Sequence, residues 1–220
     1  MYEFRSLTRA ALALACVLFA GAAIAAPVDD AVAELQREWE TIRYQTPVKQ
    51  HVERFEALAA RAHKVVETYP DRAEPLVWNG IIVSTLAGAK GGLGALSLAK
   101  EAKAMYEQAL KMKPDALDGS AYNSLAVLYY KVPGWPLGFG DKAKAKELLD
   151  KALAINPQGI DPNYFYGEYL VETGKPAEAV VYLERALSAP PRPGREVADA
   201  GRRDEARALL DKVRAQVAAR

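Results

Sequence analysis

His51 and His63 are the only imidazoles in the 220-residue chain, and Cys16 is the only thiol. Such groups could hold a metal or work as a nucleophile with its base. Their spacing argues against both. The histidines fall on one helical pattern about 3.3 turns apart, roughly 18 Å along an axis, which is too far to share a metal. Each reads as a surface or half-buried helix residue. The carboxylates alternate with lysine and arginine, as in Lys142-Ala143-Lys144-Ala145-Lys146-Glu147. That pattern is a solvated helix face, and no carboxylate pair stands apart for acid–base work. Gly91-Gly92-Leu93-Gly94 has neither the strand before it nor the Lys-Ser/Thr after it that a phosphate-cradling loop needs. The chain therefore reads as a non-enzyme, with no catalytic residue, metal set or cofactor expected. Binding chemistry remains. Trp135, Leu137 and Phe139 sit in a Gly- and Pro-rich stretch, and a large apolar side chain left in water forgoes about 1.5–3 kcal/mol. Either they fold back on their own scaffold, or they form a lip for a ligand or partner.

The start of the chain sets the expected compartment. Arg5 and Arg9 precede an apolar run, Ala10 to Ala20, too short for a comfortable membrane span, and Ala23 and Ala25 occupy the small-residue positions of a cleavage site. Residues 1–25 read as a signal peptide cut after Ala25, which would place the protein in the periplasm. The alternatives are an uncleaved membrane anchor and a lipoprotein held to the membrane through Cys16. Cleavage would remove Arg5, Arg9 and Glu3, leaving 27 basic and 27 acidic side chains. A neutral chain lacks the basic footprint that nucleic acid requires. It would also have no cysteine, so its stability must come from helix packing.

The elements that position these residues follow from periodicity. Asp29 and Asp30 are candidate N-caps for a helix through Leu35, Trp39 and Ile42. Thr46-Pro47 opens a second helix carrying Val52, Phe55, Leu58 and Ala62, which ends at Tyr69-Pro70. Beyond it one spacing recurs: small residue, bulky apolar residue, Ala, Pro. It appears as Ala102, Tyr106, Ala109, Pro114, then as Ala145, Leu149, Ala152, Pro157, and again as Ala179, Leu183, Ala186, Pro191. The last two copies begin 34 residues apart, the period of the tetratricopeptide repeat. The chain resembles that repeat over about residues 70–214, with Gly80 and Gly167 at positions where the family's paired helices approach closely, Gly174 at a turn, and a partial fourth copy in Ala206, Leu210 and Val213. The resemblance implies an all-α, right-handed solenoid of about three uneven helix–turn–helix repeats. We divide the chain into a signal peptide (1–25), an N-terminal helical pair (26–71), the repeats (72–193) and a C-terminal partial repeat or capping helix (194–220).

In solenoids of this family the leading helices line a concave groove. Counting along each unit, the resemblance places Val77 and Ile81, then Asn123, Val127 and Tyr130, then Tyr164 and Glu168 on that face. The face is mixed apolar and aromatic, and lacks the basic cluster with which some relatives clamp a terminal carboxylate. The first two repeats carry long Gly-rich stretches between their helices, Ala87 to Leu96 and Lys131 to Gly140. They are expected as neighbouring loops on one edge, with Lys90, Leu93, Lys131, Trp135, Leu137 and Phe139 as candidate contacts. The tail from Arg192 to Arg220 has eight basic residues against five acidic ones, which suggests contact with an acidic partner or membrane surface.

A narrower resemblance rests on the Leu137–Ala145 entry to a trailing helix, the Ala152-Leu153-Ala154-Ile155-Asn156-Pro157 ending and the helix order. It is similar to the periplasmic T components associated with TRAP-type transporters, which implies a cleft for a small, partly apolar ligand. Two functions follow as expectations. One is an exported scaffold binding a protein or peptide through the groove and loops. The other is a ligand-handling accessory of a transport system.

Overall fold

The computed structural model describes residues 26–219. The signal-peptide reading and Cys16 lie outside the described residues. Nine α-helices and no strand occur among those described. Helix α1 (Ala26–Gln45) begins earlier than its expected aspartate caps, so Asp29 lies in the first turn. Its stripe of Val28, Val32, Leu35, Trp39 and Ile42 is buried. Pro47 leads into a short 3₁₀ turn (Val48–Gln50) before α2 (His51–Thr68). Helix α3 (Ala73–Lys90) is buried continuously from Ala73 to Gly80, the pattern of a helix covered on all sides.

The remaining helices are α4 (Gly92–Met112), α5 (Ala116–Lys131), α6 (Lys142–Ile155), α7 (Ile160–Glu172), α8 (Pro176–Ser188) and α9 (Glu196–Ala218). The recurring residues on α4, α6 and α8 form the spine of the main core. All nine, from Ala102 to Ala186, are at most 1% exposed. Where the helices of a pair cross, glycine makes the room. A methyl on Gly80 would meet the Tyr106 ring at 2.6 Å, and one on Gly167 would meet Leu183 at 2.9 Å. A smaller core joins α1, α2 and α3 and takes in Ala198 of α9.

The two Gly-rich stretches have different fates, which corrects one expectation. There is no expanded first loop. Helix α3 runs through Lys90, α4 starts at Gly92, and Gly91 alone connects them at φ 61°. The alanines and leucines on either side are good helix formers and extend both helices into the stretch. The second stretch is a true loop, because Pro133 and Pro136 cannot continue a helix. It is stiffened by Gly140 N–H donating to Pro133 O (2.9 Å) and Asp141 N–H donating to Tyr129 O (2.8 Å). Asp141 then caps α6, its carboxylate accepting from the Ala143 and Lys144 amides.

Helix α9 does more than cover the end of the stack: it returns to touch α1. Gly201 is the contact point, where any Cβ would collide with the Tyr44 ring. Arg195 Nε and the Ala198 amide both donate to Glu40 Oε2 at 3.3 Å, and Arg43 pairs with Glu205 at 2.7 Å. This seam joins residues more than 150 positions apart in sequence. It turns the concave groove into a walled cavity.

Candidate functional site: the walled concave cavity

The cavity has a volume of about 1050 Å³. One wall is apolar, with Trp39, Phe55, Trp78, Ile81 and Val127 on helices α1, α2, α3 and α5. Trp39 is fixed edge-on to both Trp78 and Tyr44, with ring centroids 5.9 Å apart in each pair, and its Nε1 donates to Thr85 Oγ1 (2.9 Å). His51 also faces the cavity and is buried rather than on the surface. Its Nε2 lies 2.9 Å from Thr46 O and therefore donates to it.

The lining also has a polar part, which the sequence reading missed and which meets the apolar wall where Arg195 lies over the Trp78 ring. Arg192 and Arg195 from the segment before α9 and Arg202 within α9 converge around Asp161 of α7, and Arg43 from α1 lines the same cavity, paired with Glu205. Arg192 and Arg202 bind one Asp161 oxygen each, at 2.7 and 2.8 Å. Arg202 also reaches Glu205 (2.6 Å), while Arg192 grips Asp199 through Nε and Nη2 at 2.7 and 2.6 Å. Burial pulls the Asp161 carboxyl upward, but Arg202 and Arg192 outweigh it and hold the group at about 2. The Arg202 guanidinium stacks on Tyr164 and Phe165 at 4.6 and 4.5 Å. This corrects the expectation of a groove without a basic cluster. Three of the four arginines, Arg192, Arg195 and Arg202, come from the tail, whose positive excess turns inward at these positions. The excess of arginine after residue 191 was the available signal. Nothing local showed which way it would face.

Of the groove residues expected from the repeat register, Ile81, Asn123, Val127, Tyr164 and Glu168 line the cavity. Val77 is fully enclosed in the core. Tyr130 is buried behind the wall, its hydroxyl donating to Glu168 (2.6 Å), and burial with that carboxylate pushes the phenol well above its ordinary range. Among the loop candidates, Lys131 and Leu137 line the cavity, and Lys131 pairs with Glu168 and Glu172 at 3.2 and 2.9 Å. Phe139 folds back edge-on to Tyr129 (5.7 Å) beneath Lys103. Trp135 stays 90% exposed and Leu137 74% exposed, so the loop both plugs and protrudes. Lys90 sits at the tip of the α3–α4 hairpin, paired with Glu56, and is not part of the cavity. The Leu93 side chain lies outside the described residues.

Residues 137–200 match the family model for the tetratricopeptide repeat. No curated protein matches the chain. Among solved structures, the chain is similar to a thermophilic TPR protein of Thermus thermophilus, at 20% identity and a TM-score of 0.54, covering 84% of this chain and 89% of that one. Nearly identical TPR-like repeats from a Podosopora anserina protein described as a kinesin light chain align at 21% identity and a TM-score of 0.39, covering 84% and 92%. The fold is that of the first of these relatives, and the spine supplies the repeat itself. Residues 137–200 thus match the tetratricopeptide repeat, and the chain as a whole has the all-α solenoid fold of the Thermus thermophilus protein.

Proposed function

We propose that this protein is an exported binding scaffold that receives its partner at the mouth of the walled cavity. A tetratricopeptide fold suggests protein–protein interaction, and the observation that carries the finer reading is the loop after α5. Its backbone is held by hydrogen bonds, yet it presents Trp135 and Leu137 to water, and Leu137 lines the cavity. Exposed apolar groups on a stiffened loop favour a partner that covers them. The leader read at residues 1–25 supports export to the periplasm, and among the described residues no helix is long and apolar enough to cross a membrane.

A pull-down from envelope extract with the tagged protein tests this, using a Trp135→Ser, Leu137→Ser variant as its control. Because both side chains are exposed, the variant should unfold within about 0.5 kcal/mol of the parent. A partner captured by the parent and lost from the variant supports the scaffold. Equal capture by both removes the loop from the binding surface.

The depth of the cavity favours a second reading, in which a small, partly apolar molecule occupies it and the protein is a ligand-handling accessory of a TRAP-type system. A molecule co-purifying with the parent, and released on denaturation, would support that reading.

A further inference from the structure

Most of the charges around the cavity are committed to one another. Asp161, Asp199 and Glu205 each accept from at least two donors, and Arg43, Arg192 and Arg202 are spent on them. Arg195 is the exception. Among the described residues it uses only Nε, in the 3.3 Å bond to Glu40. Its two terminal nitrogens carry four N–H groups without a protein acceptor. The side chain is only 13% exposed and lines the cavity, so those donors are open to whatever occupies it.

The guanidinium lies over the Trp78 ring at 4.9 Å, which sets the plane of its fork. Burial, and then the charge of Arg192, pull this arginine below its ordinary value. Its positive charge is thus under-compensated where it sits. The N-terminus of α9, at Glu196, adds a partial positive charge beside it. A buried charge with an open fork is stabilised by an acceptor that matches the fork.

We propose that this corner of the cavity, formed by Arg195, Trp78, Trp39 and Tyr44, binds a small organic acid, with its carboxylate on the terminal nitrogens of Arg195 and its apolar body along Ile81 and Val127. The proposal rests on the reading of the cavity as a binding site. A planar monoanion fits better than a phosphate dianion, because Arg195 offers only its two terminal nitrogens, its Nε being bound to Glu40. A cation has no free carboxylate to meet, since the neighbouring acids are already doubly bonded.

The test uses octanoate and its uncharged analogue octanamide as probes on the full chain, followed by calorimetry and by tryptophan fluorescence in a Trp135→Phe background. The structure predicts octanoate at least tenfold tighter than octanamide. Arg195→Gln should erase that preference while leaving octanamide within about threefold. Because Arg195→Gln also takes a partner from Glu40, Glu40→Gln serves as the second variant. It loosens the seam but leaves the fork in place, so the octanoate preference should persist. Equal binding of the two probes by the parent, or a preference that survives Arg195→Gln, overturns the proposal. Val127→Trp, which fills the apolar wall, separates the two levels. If it abolishes both probes while Arg195→Gln changes nothing, the cavity reading stands and the acid assignment falls. If neither probe binds the parent, the acid assignment falls, and with it the small-ligand reading of the cavity.

Discussion

The repeat spine and the α1–α9 seam are held by different physics. The spine is dry, built from alanine, leucine and tyrosine side chains at local spacings, with glycines where helices cross. The seam is built from ion pairs and one glycine–tyrosine contact between residues more than 150 positions apart. Burial of the spine is proportional to apolar area and needs no exact partner. The seam's pairs repay their desolvation only when the geometry is right. The comparison predicts that the spine carries global stability, whereas the seam sets the shape of the cavity.

The largest effect should come from the spine. Tyr106 is fully buried, and its hydroxyl bonds Ser84 Oγ at 3.0 Å. Tyr106→Ala should lower unfolding free energy by about 3–5 kcal/mol in a denaturant titration. A loss below about 1 kcal/mol would break the comparison at its stronger side.

Gly201→Leu acts on the seam by forcing the Tyr44 ring away. A cost of up to about 3 kcal/mol is expected. More telling is where protection from hydrogen exchange is lost. It should fall in α1 and the first half of α9 and persist in α4, α6 and α8. Uniform loss would mean that seam and spine unfold as one unit.

The smallest effect is a pH dependence centred on Asp161. Its folded value, about 2, lies below the ordinary 3.8. The ionised carboxylate therefore stabilises the fold fully above about pH 4, and this contribution is lost as pH falls toward 2. At about 1.4 kcal/mol per pKa unit, the loss is at most about 2.5 kcal/mol. Denaturant midpoints of the parent should drop across that window, and Asp161→Asn should flatten the drop. An unchanged slope in the variant would assign the acid sensitivity to other carboxylates.

Much of this was legible from residue spacing. The nine spine positions stand where spacing placed them, and the close approaches at Gly80 and Gly167 and the turn at Gly174 (φ 80°) where the repeat resemblance implied them. Five of the seven groove residues reach the cavity, because the leading helices repeat with a constant rotation. Val77 and Tyr130 do not, although they lie on the same stripes: Val77 is enclosed in the core, and Tyr130 is buried with its hydroxyl on Glu168. The first Gly-rich stretch was misread as a loop because glycine permits a turn without requiring one. Proline in the second stretch does require one. The left-handed run at Leu117, Asp118 and Gly119 (φ 50°, 55° and 77°) at the start of α5 had no sequence signal beyond its glycine.

The sequence alone determined the helices, their pairing and the dry spine, because those depend on contacts within one or two turns or one repeat. Only the tertiary structure decided that α9 closes on α1, that three arginines meet around Asp161, and that Arg195 is left with an open fork against Trp78. Those arrangements join residues distant in the chain through charge and shape. Their partners become neighbours only after the small rotations of every intervening repeat have accumulated.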